Sequence, residues 1–255
     1  MMRLADLVPV LGIVAALAGT GGARAQEAIA LPEQSWSFDG PFGSFDRASA
    51  QRGFQVYKEV CSNCHSMKQA YYRNLEGIGL SDDAVKAIAA SVTVPGGINA
   101  AGEPFERPGL PSDHFKAPYA NEEAARAANN GALPPDQSVI IKAREDGSNY
   151  VYDLLNGYRD APAGVKVADG LYYNIYFHGD QIAMPAPLQN GSVTYADGTP
   201  ATLEQEAKDV VTFLTYVANP EMEERKRMGV RIVLFLAGMT VVTYAVKRKI
   251  WADLH

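Results

Sequence analysis

Cysteine is scarce in this chain of 255 residues: only Cys61 and Cys64 occur, three positions apart. Two thiols allow at most one disulfide. A structural zinc site is disfavoured as well, because such sites take four ligands and usually recruit a second, distant pair. Basic residues are also in deficit, with 23 Lys and Arg against 29 Asp and Glu. The resulting net charge of −6 argues against nucleic-acid binding, since phosphate neutralisation needs clustered bases. The deficit is uneven: residues 1–25 carry +1 and residues 221–255 carry +3, which leaves −10 on residues 26–220. An acidic body of this kind either attracts a basic partner or serves solubility. Gly and Pro together number 38, a loop-rich composition that leaves limited room for long regular elements.

What is present at the two ends points to a membrane. The N-terminus, MMRLADLVPVLGIVAALAGTGGARA, has Arg3, an apolar run from Leu7 to Ala18, and a closing Ala23-Arg24-Ala25. That is the order of a secretory signal peptide, cleaved to leave Gln26 first. The alternative is a retained anchor, but twelve apolar residues reach only about 18 Å as a helix. Near the C-terminus no charge occurs from Ile232 to Val246, and from Met228 to Val246 Arg231 is the only one. Nineteen helical residues reach about 28 Å, close to a bilayer core. Arg231 sits near one end, where its stem can snorkel, and Lys247, Arg248 and Lys249 follow at once. By the positive-inside rule the tail faces the cytoplasm and the body lies outside. A buried core helix is the alternative reading. The expected division is a cleaved signal peptide (1–25), an exported domain (26–220), and a single-pass anchor with a short tail (221–255).

The two cysteines belong to "KEVCSNCHSMKQ". Export would make a disulfide the default, but redox C-x-x-C motifs follow a strand in a βαβ setting, and no such alternation is visible. The reading that uses Cys61, Cys64 and His65 together is C-x-x-C-H, the attachment motif of a c-type haem. Each thiol would bind one haem vinyl group and the imidazole would ligate iron. Upstream, Asp46 fits an N-cap, and Phe54, Tyr57 and Val60 recur at helical spacing. On a continuing helix Cys61 would share a face with Cys64 and His65.

Electron-transfer haems ligated by His usually carry Met or a second His opposite. Met67 is too near His65. Met222, Met228 and Met239 lie in or beside the anchor, and His255 is beyond it. Met184, His178 and His114 remain. Met184 is favoured because Pro185 and Pro187 stiffen its segment, "DQIAMPAPLQNG". A filled sixth position would speak against oxygen or peroxide chemistry. Between the ligands, residues 91–120 read as irregular loop, and Asn121 caps a short helix stopped near Gly131. Asn-Gly and Asp-Gly turns in "LQNGSVTYADGTPA" predict a small β-hairpin. Thr202 and Gln205 fit a capping box before an amphipathic helix whose stripe is Val210, Phe213, Leu214 and Val217.

Four segments carry a family resemblance: "WSFDGPFGSFDRASAQRGFQVYKEVCSNCHSM", "AANNGALPPDQS", "KAREDGSNYVYDLLNGY" and "YNIYFHGDQIAMPAPL". Together they resemble the cytochrome c1 family, in a bacterial form. The resemblance implies a mainly α, cytochrome c-like haem domain with long loops, plus one C-terminal transmembrane helix. It implies one haem c bound through Cys61 and Cys64, with His65 and Met184 on the iron. It further implies Arg144 as a haem-propionate partner and Tyr150 as a haem-pocket residue. The implied setting is the bacterial inner membrane, in a complex with cytochrome b and a Rieske iron–sulfur protein that delivers one electron. A soluble or tethered c-type cytochrome would accept it. Such a subunit needs no acid, base or nucleophile. Glu122, Glu123, Asp82 and Asp83 are candidates for the acidic docking surface. Two departures stand out: Asp136-Gln137-Ser138 replaces the family's usual Asp-Leu-Ser, and the second cysteine pair of some bacterial relatives is missing. Two other readings remain: a free tethered shuttle, and a haem enzyme such as a peroxidase.

Overall fold

A computed structural model describes residues 30–252. The expected signal peptide at 1–25 and His255 lie outside the described residues.

Two helices form the centre of the fold. Helix α1 spans Arg47–Glu59, and the Asp46 carboxylate accepts the Ser49 N–H, as an N-cap should. Its partner spans Leu203–Ala218, with Thr202 accepting from the Gln205 N–H. The Gln205 side chain turns forward to Asp209 instead of back to the cap, so only half of the expected capping box forms. These helices cross closely at Gly53, where a Cβ would overlap the Asp209 carbonyl. Around that crossing Phe54 and Tyr57 pack against Phe213 at ring separations of 5.5 and 5.7 Å. Val56, Val210, Val211 and Phe213 are essentially removed from solvent. The buried Asp209 is held by Arg52 at 2.8 and 3.0 Å, by Ser49 at 2.7 Å and by Gln205 at 3.0 Å. Such a charge is tolerated because it is fully hydrogen-bonded.

A 3₁₀ segment at Tyr72–Ile78 packs beside α1, and helix α2 (Asp82–Ala90, capped by Ser81) packs on that segment. Helix α3 spans Glu122–Ala128 with Asn121 as cap, and Gly131 follows at φ +86°. Helix α4 spans Gly147–Asn156 and packs on the helix at 203–218, which is α5.

Two expectations about β structure fail. Residues 91–120 are not wholly irregular: β1 (Thr93–Ile98) pairs antiparallel with β2 (Pro104–Pro108), with a register shift between Pro95 and Gly97. A two-stranded ribbon has only edges, so prolines without an N–H can sit in it. Conversely, "LQNGSVTYADGTPA" forms no strands. Its turn glycines, Gly191 and Gly198, do adopt positive φ. However, the Val193 N–H goes to the buried Glu206 carboxylate, and Asp197 goes to Arg52. The buried Glu206 side chain thus takes a backbone N–H that a partner strand would have used. A second small pair, β3 (Tyr172–Tyr173) with β4 (Gln181–Ile182), leads into the Met184 segment.

The last helix, α6, runs Met222–Trp251, about 45 Å at helical rise. Only Met222 is buried on it, while Ile232 to Leu236, Val241 and Val242 are exposed. This overturns the core-helix alternative, because the apolar surface has no cover among the described residues. The helix is long and apolar enough to cross a membrane.

Candidate functional site

Helix α1 ends at Glu59, and the motif does not continue it. Cys61–Asn63 form a 3₁₀ turn, closed by Cys64 N–H to Cys61 O (3.1 Å) and His65 N–H to Cys61 O (2.9 Å). The tighter turn still gathers the two thiols and the imidazole on one side, and the cysteines are free.

Cys61, Cys64 and His65 line a cavity of about 320 Å³. The end of β4 and the segment after it contribute Ile182, Met184, Pro185 and Pro187. Helix α4 contributes Tyr150, Val151, Leu154 and Leu155, and α5 contributes Val210 and Leu214. Arg144 and Gln137 complete the lining with the Pro134-Pro135 segment. The walls are mostly aliphatic, with two thiols, one imidazole and one thioether among them. All six residues singled out from sequence, Cys61, Cys64, His65, Met184, Arg144 and Tyr150, meet here. Neither rival for the sixth position does: His178 is exposed, and His114 stacks on Tyr71 at 3.9 Å, with Arg73 4.0 Å from the other ring centroid.

The imidazole is held from behind. Its Nδ1 lies 2.8 Å from the Pro135 carbonyl, so that nitrogen is the protonated one and Nε2 is left for a metal. Burial lowers the His65 pKa, with the Pro135 carbonyl and Asp136 opposing. The ring is therefore held toward the neutral form that ligates. The next residues form a clamp. Asp136 Oδ2 accepts from Ser66 Oγ at 2.7 Å and from the Lys68 N–H at 2.8 Å, and Oδ1 accepts from the Ser138 N–H at 2.9 Å. The Gln137 N–H donates to Ser66 O at 2.8 Å, and the Gln69 N–H to Ser138 Oγ at 3.0 Å. Sequence reasoning missed this clamp, although the double proline and Asp136 mark its place. Gln137, the departure from Asp-Leu-Ser, has a buried Oε1 without a partner among the described residues.

Arg144 is exposed at the rim, donating to its neighbour's carbonyl, and no carboxylate pairs with it among the described residues. Its guanidinium is thus free for an anionic group at the cavity mouth. A mostly apolar cavity lined by two neighbouring thiols, an imidazole with Nε2 left for a metal, and a thioether fits a covalently attached haem. Exposed thiols alone would not require an enclosed apolar cavity. Fold and site together define a c-type haem protein with a candidate membrane helix.

The comparisons narrow the class. The Cytochrome C1 family model matches residues 36–254. A cytochrome c1 of Rhodospirillum rubrum is 44% identical, covering 95% of each chain. A mitochondrial cytochrome c1 heme protein of Arabidopsis thaliana is 50% identical over 91% of this chain and 75% of its own. A protein named cytochrome b/c1 in Bradyrhizobium diazoefficiens is 46% identical over 91% of this chain and 37% of its own. The chain belongs to the cytochrome c1 family, the haem subunits of the bc1 complex. Proteins of this family carry one covalently bound haem c.

Proposed function

We propose that this chain receives one electron from a Rieske iron–sulfur protein and hands it to a soluble or tethered c-type cytochrome. The observation that carries the reading is the meeting of Cys61, Cys64, His65 and Met184 around one apolar cavity. When bound, the haem supplies one-electron redox chemistry. Cys61 and Cys64 would hold it covalently, and His65 and Met184 would be the iron ligands. His/Met ligation raises the potential relative to two histidines. Arg144 would be the partner for a propionate, and Tyr150, from α4, would be a haem-pocket residue. A haem held by both His65 and Met184 would leave no open iron site, which disfavours the peroxidase reading. The chain has no catalytic activity of its own.

Cytochrome b is the neighbour of α6. The naming of a relative as cytochrome b/c1 supports this, since it joins the two in one protein. Residues 1–25 act as an export signal, residues 26–220 form a periplasmic domain, and residues 221–255 anchor it in the bacterial inner membrane with the tail in the cytoplasm. The exposed Asp82, Asp83, Glu122 and Glu123 belong to the acidic body that draws a basic cytochrome, though Asp82 is already paired with Lys86.

The test is purification from native membranes in mild detergent, followed by a redox difference spectrum. The reading requires c-type haem to co-purify with b-type haem and quinol–cytochrome c reductase activity. Recovery of the c-type haem alone, under conditions that keep other respiratory complexes whole, would favour a free shuttle instead.

A further inference from the structure

The segment bearing Met184 has an unusual support problem. Strand β4 stops at Ile182, and Pro185 and Pro187 bring no N–H, so the segment cannot zip onto a neighbouring strand. No disulfide holds it either. Yet a thioether binds iron weakly and needs its carrier fixed.

The phenol of Tyr158 lies on this segment. Its hydroxyl donates to the Met184 carbonyl at 3.0 Å. A carbonyl oxygen can only accept, so the phenol is the donor. Tyr158 is itself fixed: it forms an isolated antiparallel bridge with Asn174, and the Ile175 N–H donates to Gly157 O at 3.1 Å. Asn174 is fully buried and works in two directions. Its Nδ2 donates to Leu154 O at 2.8 Å, and its Oδ1 accepts the Tyr176 N–H at 3.0 Å. Gly157 allows the approach, because a Cβ there would meet Asn174 Oδ1 at 2.6 Å. Leu154 lines the cavity. One continuous set of bonds therefore runs from the α4 wall, through Asn174 and Tyr158, to the backbone of Met184.

We propose that Tyr158, backed by Asn174, is a positioning residue that holds the Met184 thioether at the metal position. This rests on the reading of Met184 as an iron ligand. Without the hydroxyl, the thioether would spend more time off the iron, and an external ligand would find the site open more often.

The experiment compares Tyr158→Phe, Met184→Leu and Tyr216→Phe in the complex purified from native membranes. Tyr216 is the control: its hydroxyl also donates to a backbone carbonyl, that of Asn74, but it does not line the cavity. The readouts are the charge-transfer band of ferric iron bound to thioether sulfur, and carbon monoxide binding to the reduced protein. Losing one hydrogen bond predicts about a fivefold rise in the thioether-off population of Tyr158→Phe. Apparent carbon monoxide affinity then rises about fivefold, with a weakened band. Met184→Leu should abolish the band, and Tyr216→Phe should leave both readouts at wild type. If Met184→Leu abolishes the band while Tyr158→Phe matches wild type in both readouts, the positioning role is wrong. An equal shift in Tyr216→Phe would also overturn it, by showing general loosening. A band that survives Met184→Leu would overturn the ligand reading and the positioning role with it.

Discussion

Asp153 offers a test of stability that can be worked from the structure. It lies on α4, the helix that lines the cavity, and only 3% of it is exposed. Its Oδ2 has no hydrogen-bond partner among the described residues. Burial, with a smaller contribution from Asp146, pushes its carboxyl from 3.8 up to about 6. A carboxyl raised in the folded state binds protons more tightly there than in the unfolded chain. Stability is therefore lost as pH rises from about 4 to about 6, and the loss is complete above that. The gap between the two values corresponds to at most about 3 kcal/mol. Asp153→Asn has the same shape and no charge. Its stability relative to wild type should rise across that window by about 1–3 kcal/mol and level off above it. Any fixed cost of the new amide shifts the whole curve without changing its slope. Denaturant unfolding of the haem-loaded protein at several pH values from 4 to 8 reads this directly. A wild-type-to-mutant difference that stays flat across the window would refute the argument.

Two further substitutions probe the frame. Gly53→Ala would gain up to about 1 kcal/mol as a helix interior change, but its Cβ meets the Asp209 backbone carbonyl. The overlap costs about 1–3 kcal/mol or more, so thermal unfolding should move down, and an upward move would contradict the close crossing. Asp136→Ala removes the acceptor for Ser66 Oγ and the N–H groups of Lys68 and Ser138. It should lower unfolding stability by about 2 kcal/mol, and an unchanged denaturation midpoint would show the clamp to be idle.

Local chemistry explains which features were readable in advance. Asp46, Asn121 and Thr202 cap helices through bonds to residues three along, so sequence proximity contains the whole interaction. The C-x-x-C-H spacing is equally local, though a 3₁₀ turn replaces the expected helix there. The place of Met184 on the cavity was suggested by the stiffness of Pro185 and Pro187, with His178 and His114 as rivals that the cavity lining leaves out. What remained hidden depends on partners far apart in the chain. Tyr158 meets Met184 across 26 residues, Asp136 meets Lys68 across 68, and Arg52 meets Asp209 across 157. The misplaced hairpin has the same cause. "NG" and "DG" do turn the chain, but Glu206 and Arg52, invisible from within that stretch, decide where its polar groups bond.

The join between the haem domain and α6 bears on how electrons reach the site. Helix α5, which lines the cavity with Val210 and Leu214, ends at Ala218, and α6 begins at Met222. Glu223 accepts the Phe45 N–H at 2.8 Å and pairs with Arg47 at 2.8 Å. Lys226 donates to the carbonyls of Phe38 and Gly43, and Met222 is buried. A tethered shuttle needs a flexible linker to reach its partners. Here the turn from cavity wall to candidate membrane helix is three residues long, and the first turns of α6 are bonded to the segment before α1 and to its first residue. The orientation of the cavity relative to α6 is thereby fixed. A fixed cavity can exchange electrons with two partners in succession only if the partners come to it. On the proposed reading, the motion belongs to the Rieske protein and to the acceptor cytochrome, while this chain holds the haem at a constant place above the membrane.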